Sequence, residues 1–194
     1  MKKSNFYILP LLLVALLSVL TTNLSAQRKV KVVTKTISQR LEQPLDSGIF
    51  IQAKKAEVEV TGWDRSYIQI EMDLIAKHVD VDVAKEELEY IQYKISKSDI
   101  RYILENSFFS NKVKPRIKSN LSVVYRVYVP INTKVVVKNQ YGSIKAANLH
   151  DTLYMDAKFC DVKFERIFGA MHVTGEYSEF LGKNFDAVLN LKTK

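Results

Sequence analysis

A single cysteine, Cys160, stands in a chain of 194 residues. One cysteine excludes an internal disulfide, so stability has to come from packing. Its position deep in the chain also excludes a lipoprotein anchor, which needs a cysteine at the cleavage point near the amino terminus. Glycine (6) and proline (4) are scarce and there is no low-complexity linker, which argues against a mosaic of modules. Neither Asn-Gly nor Asp-Gly occurs, so the usual signature of two-residue hairpins is missing. His78, His150 and His172 fall at unrelated places and none pairs with Cys160 at ligand spacing. No cofactor, metal site or catalytic residue is expected on these grounds.

What the chain does have begins at its amino terminus. Lys2 and Lys3 precede the apolar run Phe6–Leu20, which contains Pro10 and leads through polar Thr21–Asn23 to a small residue at Ala26. This is the order of a secretory signal peptide over residues 1–26. The run falls short of the roughly 20 apolar residues of a membrane-spanning helix, so no stable membrane span is expected after cleavage. The mature chain, residues 27–194, is expected to be exported to a periplasmic, outer-surface or extracellular location as a single domain. Its excess of lysine and arginine (29) over acids (21) survives loss of the two leader lysines. That charge favours solubility and attraction to anionic surfaces without naming a partner.

An aromatic residue returns every eighteen positions, at Tyr141, Phe159 and Tyr177. Other columns keep the same step: Val135, Leu153, Met171 and Leu189; Val137, Met155, Val173 and Leu191; Ile144, Val162 and Phe180; Leu149, Ile167 and Phe185. Paired apolar positions two apart in so short a period suit one coil of a single-stranded parallel β-solenoid, in which like columns stack about 4.8 Å apart. An antiparallel β-sandwich of nine-residue strands gives the same period and stands as the alternative. The spacings recur earlier, where Ile51, Val58 and Trp63 match Val137, Ile144 and Leu149, with Trp63 expected in the corner that Leu149 fills.

The pattern is interrupted near residues 79–111. There Ala84, Leu88 and Ile91 share one helical face, Asp82 is placed to cap it, and Glu86 and Glu87 suit its first turn. The acidic cluster reads as a solvated helix face, since no ligand-spaced histidine or cysteine accompanies it.

The segments AEVEVTGWDRSYIQIEM and VYRVYVPINTKVVVKNQYGSIKAANL, with the helical insertion between them and the repeats after them, resemble the exported bacterial "putative adhesin" family of β-solenoid domains. The likeness covers most of residues 40–190 and rests on a strand-turn-strand phrase with Tyr-Gly ahead of a short strand. It implies an envelope or cell-surface location and a solenoid fold, and it brings no active site. Family members often continue further than Leu189–Lys194, which starts another coil and stops, so a short or truncated chain is one expectation.

Two surfaces are candidates for interaction. Lys112, Lys114, Arg116 and Lys118 alternate with apolar residues, and on a strand they form one face suited to an anionic ligand; the plain reading is a solvated face opposite Val113, Ile117, Leu121, Val123 and Tyr125, with Pro115 fitting only an edge or irregular strand. Leu189 and Leu191 mark an assembly edge at the last coil, open to strand addition unless the terminal lysines blunt it. Asp161 and Glu179, one coil apart, are the candidate pair of glycosidase acids, and with Lys145 and Lys163 on the same face they read as a charge ladder. Cys160 shares a space-restricted column with Gly142 and Ser178. The function expected is a non-enzymatic envelope or surface interaction module whose partners are an envelope protein, a surface glycan or a second copy. A carbohydrate-active enzyme and an envelope-signalling ectodomain partner are the alternatives. Nucleic acid is not an expected partner, because the aromatics fall where the repeat calls for core.

Overall fold

In a computed structural model of the chain, the described residues are 29–42, 48–98, 100–108 and 116–193. The leader expected over residues 1–26 lies outside them. The elements are β1 (Lys31–Glu42), β2 (Gly48–Trp63), β3 (Tyr67–His78), α1 (Val81–Leu88), β4 (Gln92–Ser98), β5 (Arg101–Ser107), β6 (Asn120–Pro130), β7 (Val135–Leu149), β8 (Leu153–Ile167), β9 (Ala170–Glu176), β10 (Glu179–Lys183) and β11 (Val188–Thr193).

The protein is mainly β, and its strands form one mixed, open sheet in the order β1-β3-β6-β2-β7-β8-β9-β11. β5 pairs with β2, β4 with β5, and β10 with β8. One half is antiparallel, with β1 on β3 and β3 on β6. From β6 through β2, β7, β8 and β9 to β11 every pairing is parallel. Alternation of apolar and polar residues puts one side of each strand inside. Leu121, Val123, Tyr125, Val127 and Val129 of β6 are buried, as are Ile68, Ile70, Met72, Leu74 and Ala76 of β3.

The parallel pairs fall at a constant offset. Val135 lies opposite Leu153, Leu153 opposite Met171, and Met171 opposite Leu189, each a step of eighteen. Ile51 and Val58 lie opposite Val137 and Ile144. Like columns therefore touch, and a side chain pointing inward meets its own kind on the neighbouring strand.

The long strands are bent at residues with left-handed backbone. Lys55, Tyr141, Phe159 and Tyr177 have φ of 48°, 67°, 53° and 51°, and a second set, Asn148, Arg166 and Asn184, has φ of 57°, 54° and 49°. Two such corners fall in each eighteen-residue step. At the first, the chain turns its aromatic side chains outward. Tyr141 is 43% exposed, Phe159 44% and Tyr177 72%. The expectation that these rings belong to the core is thus corrected: at a left-handed residue the alternation of inward and outward side chains is broken, and the ring is left exposed. The rings stack on one another instead, with centroids 5.1 Å apart and planes within 12° for Tyr141–Phe159, and 5.1 Å and 10° for Phe159–Tyr177.

Gly142 follows the first of these corners at φ 132°, and a Cβ there would lie 2.1 Å from the Ala56 carbonyl oxygen. Only glycine fits that approach. Cys160 and Ser178 occupy the same column one and two steps on, where the Cys160 amide donates to Ser178 Oγ at 3.1 Å.

Bending a strand strands its backbone groups, and buried amides collect them. Asn139 Nδ2 donates to the carbonyls of Ala56 (2.8 Å) and Ser143 (3.3 Å). Asn106 accepts from the Lys54 amide at 3.1 Å and donates to the Lys54 carbonyl at 2.9 Å, while the buried Tyr125 hydroxyl donates to Asn106 Oδ1 at 3.2 Å. Asn106 thereby continues the ladder beside β2 in the gap between β5, which pairs as far as Gln52, and β6, which starts at Ala56. Burial raises the pKa of the Tyr125 hydroxyl, so it stays a neutral donor.

Two local expectations change. Helix α1 is capped by Asp80, whose carboxylate accepts from the Asp82 amide at 2.9 Å; Asp82 itself lies in the first turn. Ala84, Leu88 and Ile91 are buried as expected. Trp63 does not fill a core corner as Leu149 does: it lies half-buried, stacked at 5.3 Å on Tyr128 and edge-on at 4.8 Å to Tyr67. The β2 chain there runs alongside Pro130, at the rim of the sheet.

The corner geometry sets an unusual rank order. Truncating Phe159 to alanine removes two ring contacts, each worth about 0.5–1.5 kcal/mol, and keeps the left-handed strain. Phe159→Gly loses the same contacts and relieves strain of roughly 1 kcal/mol. Denaturant unfolding is expected to rank wild type above Phe159→Gly and Phe159→Gly above Phe159→Ala, the reverse of the usual preference for alanine over glycine in a strand.

Candidate functional site

Of the lysine-rich stripe, Lys112 and Lys114 lie outside the described residues, as does Pro115. Arg116 and Lys118 are exposed and lead into β6 without belonging to a strand. What fixes this approach is Glu87. It is buried, and its carboxylate accepts from the Lys118 amide at 3.0 and 3.1 Å and from the Ser119 amide at 2.6 Å. Burial pushes the Glu87 carboxyl up, but the neighbouring Ser119 hydroxyl and the two amides outweigh it and hold the pKa below the ordinary value. The Ser119 hydroxyl makes no aligned hydrogen bond among the described residues, so the amides are the firmer cause. The reading of Glu87 as part of a solvated helix face is corrected: its helix carries it inward to clamp the start of β6. The Thr36 hydroxyl and the Arg126 guanidinium likewise hold the Asp73 carboxyl low on the antiparallel half of the sheet.

Asp161 and Glu179 are Cα partners across β8 and β10, and both are exposed. Ser143 lies opposite Asp161 on the other side, and Lys145 lies opposite Lys163. The charged residues lining a nearby cavity of about 310 Å³ are Lys145, Lys163, Lys183, Glu59 and Glu165, and not the Asp161–Glu179 pair. Among the described residues no group of three or more His, Cys, Asp and Glu gathers to hold a metal ion. Cys160 is buried, with its Sγ 3.2 Å from the Lys158 carbonyl, and burial pushes the thiol pKa up, away from the reactive thiolate.

The terminal layer is the other candidate. β11 pairs with β9 and β10 with β8, and among the described residues neither has a partner on its far side. The columns that run through the core surface here. Met171 is 0% and Val173 2% exposed, whereas their partners Leu189 and Leu191 are 40% and 46% exposed. Tyr177 ends the ring stack, with one face against Phe159 and the other uncovered by any described aromatic ring. Apolar columns, an open aromatic face and unpaired backbone groups therefore coincide at one edge.

Comparison with family models and with characterised proteins gives no match. Among solved structures, the chain is similar to a "putative cell adhesion protein" from Clostridium sporogenes at 13% identity and TM-score 0.35, covering 86% of this chain and 100% of that one. It is also similar to a "putative lipid binding protein" from Parabacteroides distasonis at 11% identity and TM-score 0.35, covering 82% of this chain and 62% of that one. A "putative adhesin" from Parabacteroides merdae overlaps at 9% identity and TM-score 0.30, with 84% and 96% covered. Likenesses this distant carry no assignment of activity. Among the described residues no helix is long and apolar enough to cross a membrane.

The Glu87 clamp predicts a pH dependence. A carboxyl whose folded pKa lies below its unfolded one contributes stability above the unfolded value, and the contribution is lost as pH falls through the folded value. Asp73 acts in the same sense. Glu87→Gln is expected to lose about 1–3 kcal/mol at neutral pH and to show a shallower decline than wild type toward about pH 3. Parallel declines in urea titrations of the two proteins would remove Glu87 from the account.

Proposed function

We propose that the chain is an exported, non-enzymatic interaction module of the envelope or cell surface, wound as a parallel β-solenoid, which associates with a second copy through its terminal layer. The observation that carries this reading is the passage of two core columns from buried Met171 and Val173 to exposed Leu189 and Leu191, on a strand with no second partner among the described residues. The winding is supported by the constant parallel offset with two corners in each step, because parallel neighbours cannot be joined by tight hairpins.

A second copy is favoured by the strand's own symmetry. Leu189-Asn190-Leu191 reads the same in both directions. Antiparallel addition of β11 to its counterpart, centred on Asn190, sets leucine against leucine on the inner face and asparagine against asparagine on the outer. It satisfies the open backbone groups of both copies at once, as an isologous two-fold contact requires. Lysines at an edge oppose such pairing, but the centred register places Lys192 opposite Val188 and not opposite another lysine.

Sedimentation of the purified chain tests this. A concentration-dependent dimer is expected, and Leu189→Lys with Leu191→Lys is expected to give a folded monomer. A wild-type monomer at every concentration, or a dimer indifferent to both substitutions, would overturn the assignment of the edge.

A further inference from the structure

Away from the terminal edge, the outer face of the parallel strands carries a groove that the edge reading does not use. Outward residues of β2, β7, β8 and β9 stand in register: Phe50 lies opposite Val136, Val136 opposite Tyr154, and Tyr154 opposite His172. One row over, Gln52, Lys138, Asp156 and Thr174 do the same. Two adjoining cavities, of about 470 and 430 Å³, share Lys138 and Asp156 and make one shallow trough across the strands.

Its cations are held on aromatic faces. The Arg101 guanidinium lies 5.6 Å from the centre of the Phe50 ring and the Lys138 ammonium 5.8 Å, while Lys134 stands 5.3 Å from the Tyr154 ring. The Tyr154 ring is also stacked on His172 at 4.6 Å and 11°. None of the three cations makes an ion pair with a described carboxylate, whereas Lys158 nearby is paired with Glu176 at 3.0 Å. Asp156 is the one carboxylate common to both cavities. Among the described residues the trough is therefore net positive, and its cations are placed without a paired acid.

We infer that this trough binds an acidic polysaccharide, with Arg101, Lys134 and Lys138 engaging its carboxylate or sulfate groups. A guanidinium fork and two ammonium groups suit anionic oxygens, and amide side chains at Gln52 and Gln140 offer donors and acceptors to sugar hydroxyls. The strands repeat about every 4.8 Å, a step comparable to one sugar residue, so a linear glycan laid across β2, β7, β8 and β9 meets equivalent positions in succession. Single-stranded nucleic acid fits less well, because it needs free rings for its bases, and Phe50 and Tyr154 are already engaged by Arg101 and Lys138 and by Lys134 and His172. An anionic lipid surface fits less well because Phe50, Val136 and His172 of the outward row are only partly exposed, and the exposed Tyr154 is a single ring with a polar tip and not an apolar patch.

The test uses the purified chain with an oligogalacturonate, its methyl ester, a heparin-derived oligosaccharide, an oligothymidylate and vesicles of phosphatidylglycerol in phosphatidylcholine. Titration calorimetry at low salt is expected to show binding of at least one of the two acidic sugars and none of the ester, weakening as salt is added. Lys138→Glu is expected to lower that affinity about tenfold or more, with Lys138→Arg restoring it and the melting temperature unchanged in both. Leu189→Lys with Leu191→Lys is expected to leave sugar binding intact, which separates failure here from failure of the edge assignment. Binding of neither acidic sugar, equal binding of the ester, tighter binding of the oligothymidylate or the vesicles, or indifference to Lys138→Glu would each overturn the inference.

Discussion

The run from β7 to β11 depends on one constraint: each strand after β7 lies in parallel register with the segment eighteen residues before it, and the backbone passes through two left-handed residues in each such step. These residues make the bends, and apart from Gly142 every residue found at positive φ carries a side chain. Such a conformation costs free energy on its own. It is offset because each bend is stacked on the bend before it. Ring lies on ring at Tyr141, Phe159 and Tyr177, and Arg166 Nε donates to Asn148 Oδ1 at the second corner. The register thus stabilises the corners and the corners define the register.

Much of this was legible in the sequence because the constraint acts on columns. The apolar columns through Val135, Val137 and Ile144 lie opposite one another where the step of eighteen places them, and the match of Ile51 and Val58 to Val137 and Ile144 corresponds to direct strand neighbours. The helical face of Ala84, Leu88 and Ile91 was equally plain, since a change of period marks a change of element. The aromatic column was visible too, but its direction was not. Periodicity shows that a position recurs and does not show which side of a bend it occupies, and a bulky ring at positive φ runs against ordinary propensity.

The buried polar groups were illegible for a different reason. Asn106 and Asn139 belong to no motif or column of the sequence, and Glu87 reads as one acid among several on a short helix. Their roles arise from partners far along the chain: Lys54 for Asn106, Ala56 for Asn139, and the Lys118 and Ser119 amides for Glu87. Each satisfies backbone groups that a bend or a strand entry would leave stranded. The same separation hid the trough on the outer face, where Arg101, Phe50, Lys134 and Tyr154 come from four stretches of sequence and meet only when β5, β2, β7 and β8 are aligned.

The proposed winding, the terminal edge and the trough all rest on the parallel offset, and cross-linking reads it directly. Lys145 and Lys163 are exposed Cα partners on β7 and β8, and neighbours across a parallel pair fall within the Cα separation that a disulfide spans. In a Cys160→Ser background, Lys145→Cys with Lys163→Cys is predicted to form an intramolecular disulfide under mild oxidation and to keep the native melting profile. A pair that stays reduced in the folded protein would contradict the account, because in an arrangement of antiparallel hairpins these positions stand two strands apart.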